Sequence, residues 1–171
     1  LSSKLLKCTN LKKGAKVILH KVIKPELYGV AKVNKSGTIK LLREKPKKFI
    51  SDLAITGLYF FDKKVVNYAK KLKPSKRKEL EITDLLNLYC RKKQLKSDIL
   101  GRGGAWLDTG SIEDFYKTSA FVSAIENRQG FKIACLEEIA LNNRWITKKQ
   151  ILKSIEFYGK CEYSNYLRKF I

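Results

Sequence analysis

Gly101-Arg102-Gly103-Gly104-Ala105-Trp106-Leu107-Asp108-Thr109-Gly110 is the stretch on which the reading of this chain turns. It has little helical or strand periodicity. It lies between the run Leu95 to Leu100, which reads as a strand, and Ser111, which reads as the N-cap of a helix over about 112–128. Glycine carries no Cβ, so backbone here can approach a ligand closely. Asp108 is then held at the mouth of a turn with Trp106 and Leu107 packing behind it. An aspartate fixed in this way can serve Mg²⁺, which takes a few carboxylate oxygens and completes its shell with phosphates. It can equally be an Asx-turn that only introduces the following helix.

Outward from this junction, strands alternate with helices. Ala15 to Val22 is a nearly continuous apolar run and reads as a buried strand after a helix end closed by Lys12-Lys13-Gly14. Lys24 to Gly29 is a turn. Val30–Val33 and Thr38–Leu42 flank Asn34-Lys35-Ser36-Gly37, a hairpin signal. Ala54 to Phe61 is a core strand whose Gly57 predicts a bulge or a close backbone approach. Asp62 is expected to cap a helix running to about Leu72, before Pro74; a second helix follows Glu79–Asp84. Beyond Gly130 two or three short helices are expected, broken at Asn142-Asn143 and Tyr158-Gly159. The pattern is that of an α/β chain with a layered sheet flanked by helices.

The 171 residues fit one domain with a real core, and a hydrophobic content of 44% argues against disorder. The formal net charge of +21 raises nucleic acid or a membrane surface as partners. The excess is mostly lysine, spread from Lys4 to Lys169, without the concentrated arginine forks and interleaved aromatics of a nucleic-acid reader. Neither nucleic acid nor membrane is therefore expected as a partner, whereas anionic small molecules gain from the field. Cys8, Cys90, Cys135 and Cys161 are scattered, as reduced cytoplasmic thiols are, and His20 has no second histidine with which to bind metal. No apolar run reaches the length of a membrane span. The chain starts at Leu1 and contains no methionine, so a trimmed or partial chain is expected.

Four clusters carry potential chemistry. Tyr28-Gly29 is a turn that either brings backbone N–H groups to a ligand or simply enters the hairpin. Glu44-Lys45 before Pro46 places an acid and a base on opposite sides of an extended backbone. One can accept hydrogen bonds from sugar hydroxyls while the other meets a phosphate; plain surface charge is the alternative. Arg77 to Asp84 packs alternating charge before a helix, which the helix dipole alone also favours. Asp108 is the fourth.

Taken in order, these clusters with Ile55-Thr56-Gly57-Leu58-Tyr59, Glu79-Leu80-Glu81-Ile82-Thr83-Asp84, Arg128-Gln129-Gly130 and Glu137-Glu138-Ile139-Ala140 resemble the sugar nucleotidyltransferases, specifically the glucose-1-phosphate thymidylyltransferase family, from about Leu1 to about Leu167. Each motif is weak alone; the ordered set is specific. The resemblance implies a Mg²⁺-dependent reaction of dTTP with glucose 1-phosphate that yields dTDP-glucose and pyrophosphate, in cytoplasmic synthesis of surface-polysaccharide precursors such as dTDP-rhamnose. It implies Tyr28, Gly29, Glu44, Lys45, Ile55, Tyr59, Glu79 and Trp106 as substrate-binding residues, Lys45 and Asp108 as catalytic, and Asp108 as the metal ligand. It also implies a sugar-binding part at 1–130, a helical segment at 131–171 with a feedback site near Cys135–Ile139, and a homo-oligomer.

The sequence departs from the family at Lys32 and Arg43, where acids are usual, and at Lys78, where glycine precedes the acid. The family's glycine-rich, arginine-containing nucleotide loop and its second Mg²⁺ carboxylate have no counterpart here. The isolated chain is therefore expected to be inactive in nucleotidyl transfer unless a separate N-terminal half completes it. Strands left without partners are expected to make it poorly stable.

Overall fold

The computed structural model describes residues 8–75 and 78–171. It divides into two compact units, Leu1–Trp106 and Leu107–Ile171. The first unit is built on a five-stranded sheet: β1 Ala15–Lys21, β2 Gly29–Val33, β3 Ile39–Glu44, β4 Leu53–Phe61 and β5 Leu95–Ile99. The spatial order is β3-β2-β4-β1-β5. β4 runs antiparallel to β1 and β5 parallel to it, so the expected α/β fold is present as a mixed sheet. Beside the sheet lie the helices α1 Val65–Ala69 and α2 Ile82–Arg91.

Alternation along β1 decides where the core lies. Ala15, Val17 and Leu19 are buried beside Leu86 and Tyr89 of α2, with Ile39, Leu42 and Leu95 completing the cluster. Helix α2 presents Thr83, Leu85, Leu86 and Tyr89 as its buried residues, the spacing of a face packed on a sheet. The hairpin forms where the sequence placed it. Asn34 Oδ1 accepts from the backbone N–H of Ser36 and of Thr38, and Gly37 adopts φ 76°.

Gly57 marks a bulge, as its position in an apolar strand predicts. Val17 pairs with Tyr59 and Leu19 with Ile55, so β4 spends four residues where β1 spends two. Gly57 itself has φ 85°, a conformation that a side chain resists.

Asp62 differs from expectation. It is not the N-cap of a helix reaching Leu72: α1 is a short helix with Lys64 at its N-cap, and Asp62 is buried. Its Oδ2 accepts from the Gly14 N–H at 2.7 Å, and its Oδ1 accepts from Tyr89 Oη–H at 2.8 Å and the Lys64 N–H at 3.0 Å. One carboxylate thus ties the start of β1, the end of β4 and α2 together. Burial works against its charge, yet the bonds from Gly14, Tyr89 and Lys64 outweigh it and hold the carboxyl below the usual range. The helix end expected over residues 1–13 is described only from Cys8, which with Thr9 is helical; residues 1–7 lie outside the described residues.

The second unit is helical: α3 Ile112–Gln129, α4 Leu136–Asn142, α5 Lys148–Tyr158 and α6 Glu162–Leu167. Ser111 caps α3 as expected, its Oγ accepting from the Asp114 N–H, and Gly130 ends the helix at φ 71°. A separate cluster of Cys135, Ile151, Ile155, Tyr166 and Leu167 forms its core. Tyr163 Oη–H donates to Glu137 and Tyr166 Oη–H to Glu138, each at 2.5 Å, fixing α6 to α4.

Candidate substrate site

The hairpin β2–β3 brings the first two clusters together by register. Gly29 pairs with Glu44, so the turn before β2 and the end of β3 are adjacent. The backbone is locked one step further on, where the Lys45 N–H donates to the Tyr28 carbonyl at 3.0 Å. A methyl group at Gly29 would stand 2.9 Å from Glu44 Oε2 and 3.5 Å from Ile55 Cδ1. Glycine here leaves the Glu44 carboxylate room where a side chain would otherwise begin. Thr83 Oγ1–H donates to the same Oε2 at 2.9 Å, which orients the acid from the first turn of α2.

Tyr59 belongs to this group. It packs on the core beside Phe61, with ring centroids 6.1 Å apart. Burial raises its phenol, and the charge of Glu44 raises it further. Gly29 thus lies beside both the Glu44 carboxylate and Ile55, and the same carboxylate acts on Tyr59, so residues from three strands meet here.

Lys45 sits at φ 39° immediately before Pro46. A residue before proline is normally extended, so this is a strained position of the kind that functional sites retain. Glu44 and Lys45 border a cavity of about 450 Å³ whose other walls include Arg43, Ser75, Glu81, Thr83, Asp84 and Asn87. Glu79 does not line it. The Glu79 carbonyl instead accepts from the Ser75 N–H, closing a tight loop in which Lys78 adopts φ 62°. That left-handed position accounts for the family's usual glycine at Lys78. Arg77, which begins this cluster in sequence, lies outside the described residues.

Sequence reasoning passed over Thr83, Ser75 and Glu81 as site residues. Ser75 Oγ–H donates to Glu81 Oε1 at 3.0 Å, so both walls of the cavity are held by side-chain bonds. The acid-rich run before α2 was the available signal. Its reading as helix N-terminal charge hid the fact that its second acid faces Lys45's cavity.

Tyr28 and Trp106 form an aromatic pair, edge to face with centroids 5.1 Å apart. Trp106 Nε1–H donates to the Thr56 carbonyl at 3.1 Å, next to the Gly57 bulge, and its ring meets His20 edge-on at 6.1 Å. The glycine stretch before Trp106 turns tightly, with the Gly104 N–H donating to the Gly101 carbonyl, and borders a cavity of about 260 Å³ with Ile18, Asp98 and Leu100.

Asp108 belongs to the second unit and is exposed. Its Oδ1 accepts from the Thr109 N–H at 3.0 Å, its Oδ2 faces Gly110, and Thr118 Oγ1–H reaches its carbonyl at 3.4 Å. The bond from Thr109 comes from the next residue rather than two residues on, so it does not close an Asx-turn. Among the described residues no group of three or more His, Cys, Asp or Glu side chains forms a metal cage. Mg²⁺ requires none: one or two carboxylates suffice when phosphates and water supply the rest. An exposed aspartate with one backbone bond to a single oxygen fits that donor set.

The family model for nucleotidyl transferases matches residues 3–125. The chain belongs to the nucleotidyl transferase family. Its relatives include glucose-1-phosphate thymidylyltransferases from Neisseria meningitidis (42% identical over 92% of this chain and 55% of the relative) and Neisseria gonorrhoeae (45%, over 90% and 54%). Among solved structures it is similar to a Bacillus anthracis protein described as a glucose-1-phosphate thymidylyltransferase and crystallised with sucrose. That likeness has a TM-score of 0.61 and 40% identity, over 70% of this chain and 47% of the other. A UDP-glucose pyrophosphorylase bound to UDP-glucose is also similar, with a TM-score of 0.56 and 27% identity, over 63% and 43%. The chain spans about half the length of the curated relatives it matches. The nucleotidyl transferase fold and the mixed sheet are thus shared features, and no helix among the described residues is long and apolar enough to cross a membrane.

Proposed function

We propose that this chain forms the sugar-phosphate-binding part of a glucose-1-phosphate thymidylyltransferase, with the functional parts at 1–130 and 131–171. The observation that carries this reading is the convergence on Glu44: Gly29 clears space for its carboxylate, Thr83 orients it, and Lys45 follows on a strained backbone beside the same cavity. Likeness to named thymidylyltransferases at 42–45% identity supports the choice of dTTP and glucose 1-phosphate.

In this proposal Glu44 accepts hydrogen bonds from glucose hydroxyls and Gly29 lets the ring approach the backbone. Ile55 and Tyr59 form the apolar wall, and Glu79 contributes from its loop. Lys45 meets the sugar phosphate as a compact point charge. Tyr28 and Trp106 stiffen the rim through their edge-to-face contact. An oxygen of the sugar phosphate attacks the α-phosphorus of dTTP, the bond to the β,γ-phosphates breaks, and pyrophosphate leaves. Holding the attacking phosphate in line is the main task of the protein side. Mg²⁺ held at Asp108 would neutralise charge on the phosphates. The remaining parts of the proposal are a cytoplasmic location, a homo-oligomer, and a product used for dTDP-rhamnose and surface polysaccharides such as O-antigen.

The test is pyrophosphate release by the protein that carries this chain, given Mg²⁺, dTTP and glucose 1-phosphate, with UTP as the competing nucleotide because of the UDP-glucose pyrophosphorylase likeness. The proposal expects turnover with dTTP that falls by about 10²-fold or more in Lys45→Ala and Asp108→Asn, since each removes a charged contact to phosphate or metal. Unchanged turnover in both variants would remove the site assignment, and preference for UTP would remove the choice of base.

A further inference from the structure

We infer a second anion site, for an oligophosphate, in the groove between the Thr9–Lys13 loop and Asp62–Lys64. The groove encloses about 860 Å³ and is lined by Thr9, Asn10, Leu11, Lys12, Lys13, Asp62, Lys63 and Lys64. Four of these are exposed lysines, and none of the four makes an ion pair among the described residues. By contrast, the cavity at Lys45 carries three carboxylates, Glu44, Glu81 and Asp84, and the one at Lys169 carries two, Glu126 and Glu162.

The single acid in the lysine groove does not oppose an anion. Asp62 is 4% exposed, and both of its oxygens are occupied by bonds from Gly14, Lys64 and Tyr89. That same clamp fixes the two lysine-bearing loops: the Asp62 N–H donates to the Gly14 carbonyl at 2.9 Å while Gly14 returns a bond to the carboxylate. Four lysines are thereby carried around one concavity on loops anchored at Gly14 and Asp62 by a buried network. Such an arrangement repels itself unless an anion sits among the charges, and the gain on binding needs no rearrangement of the backbone. Thr9 and Asn10 add polar side chains to the rim.

The shape selects the class of anion. Several separated ammonium groups suit consecutive phosphates better than one. Among the described residues the lining contains no aromatic side chain to stack a base. The site is also separate from the sugar-phosphate cavity. Gly14 opens β1, whereas His20, near its far end, pairs with Ala54, the partner of Val30 beside Gly29. Seven residues of strand separate the two ends by roughly 20 Å.

The experiment is calorimetric titration of the full chain with inorganic tripolyphosphate at low and at moderate salt. Wild type is expected to bind one equivalent, more weakly as salt rises. The Lys12→Gln/Lys63→Gln variant is expected to lose about tenfold or more in affinity. These lysines are exposed, so an unchanged melting temperature verifies the fold of the variant. dTTP should match tripolyphosphate, and thymidine should not bind. Three results would each overturn the inference: many weak equivalents per chain, which indicates a diffuse basic surface; unaltered affinity in the double variant; or tighter binding of a single-stranded oligonucleotide than of tripolyphosphate.

Discussion

Gly29 and Glu44 show how much of the proposed site rests on single atoms. The nearest obstacle to a methyl group at Gly29 is the far end of the Glu44 side chain, at 2.9 Å, while Ile55 stands at ordinary contact distance. Glu44 can swing aside, so Gly29→Ala is expected to change stability by less than about 1 kcal/mol. Glucose 1-phosphate affinity should nonetheless fall about tenfold, because the carboxylate leaves its position and a charged hydrogen bond of about 1.5 kcal/mol is lost. Denaturation and ligand titration on the same variant separate these effects; equal losses in both would assign Gly29 a purely structural role. The pairing of Gly29 with Glu44 was legible in part, since Tyr28-Gly29 and Glu44-Lys45 flank a recognisable hairpin. Thr83, 39 residues from Glu44 in sequence, was not legible, because no local pattern reports a partner across the fold.

At the scale of elements, local signals were read well and long-range ones poorly. The hairpin turn, the bulge at Gly57 and the Ser111 cap are each set by neighbours within a few residues, and all three form where expected. Asp62 looked like a helix cap because Asp before a helical run usually is one. Its actual partners, Gly14 and Tyr89, lie 48 and 27 residues away, and the helix it was meant to start is only Val65–Ala69. The loop between α1 and α2 gives a second case. Lys78 holds φ 62° where glycine would be free of steric cost. Lys78→Gly is therefore expected to stabilise the chain by roughly 0.5–1 kcal/mol in urea denaturation. A loss of stability would show that the side chain contributes more than its backbone costs.

For the molecule as a whole, pH acts through Asp62. Its folded carboxyl is held below its usual range, so the network adds stability that is fully present above about pH 4, the range where an unfolded aspartate ionises. That stability is lost as pH falls through the lower, folded value. Melting temperatures measured from neutral pH down to pH 3 should drop more steeply for wild type than for Asp62→Asn. At neutral pH, Asp62→Ala should cost about 3 kcal/mol, since two buried donors, Gly14 N–H and Tyr89 Oη–H, and the part-buried Lys64 N–H lose their acceptor. Parallel pH profiles for the wild type and Asp62→Asn would show that Asp62 does not govern the acid limb. The family was legible in sequence because its motifs keep their order along the chain even where each is weak. The boundary between the two compact units, at Trp106, falls inside the glycine-rich stretch.

The most direct test of the central claim is equilibrium binding of glucose 1-phosphate to this chain, followed by calorimetry, with Lys45→Ala and Glu44→Gln measured alongside. One site per chain is expected, weakened about tenfold or more by either substitution, with the fold of both variants unchanged. Absence of binding by the wild type, or equal binding by all three proteins, would contradict it.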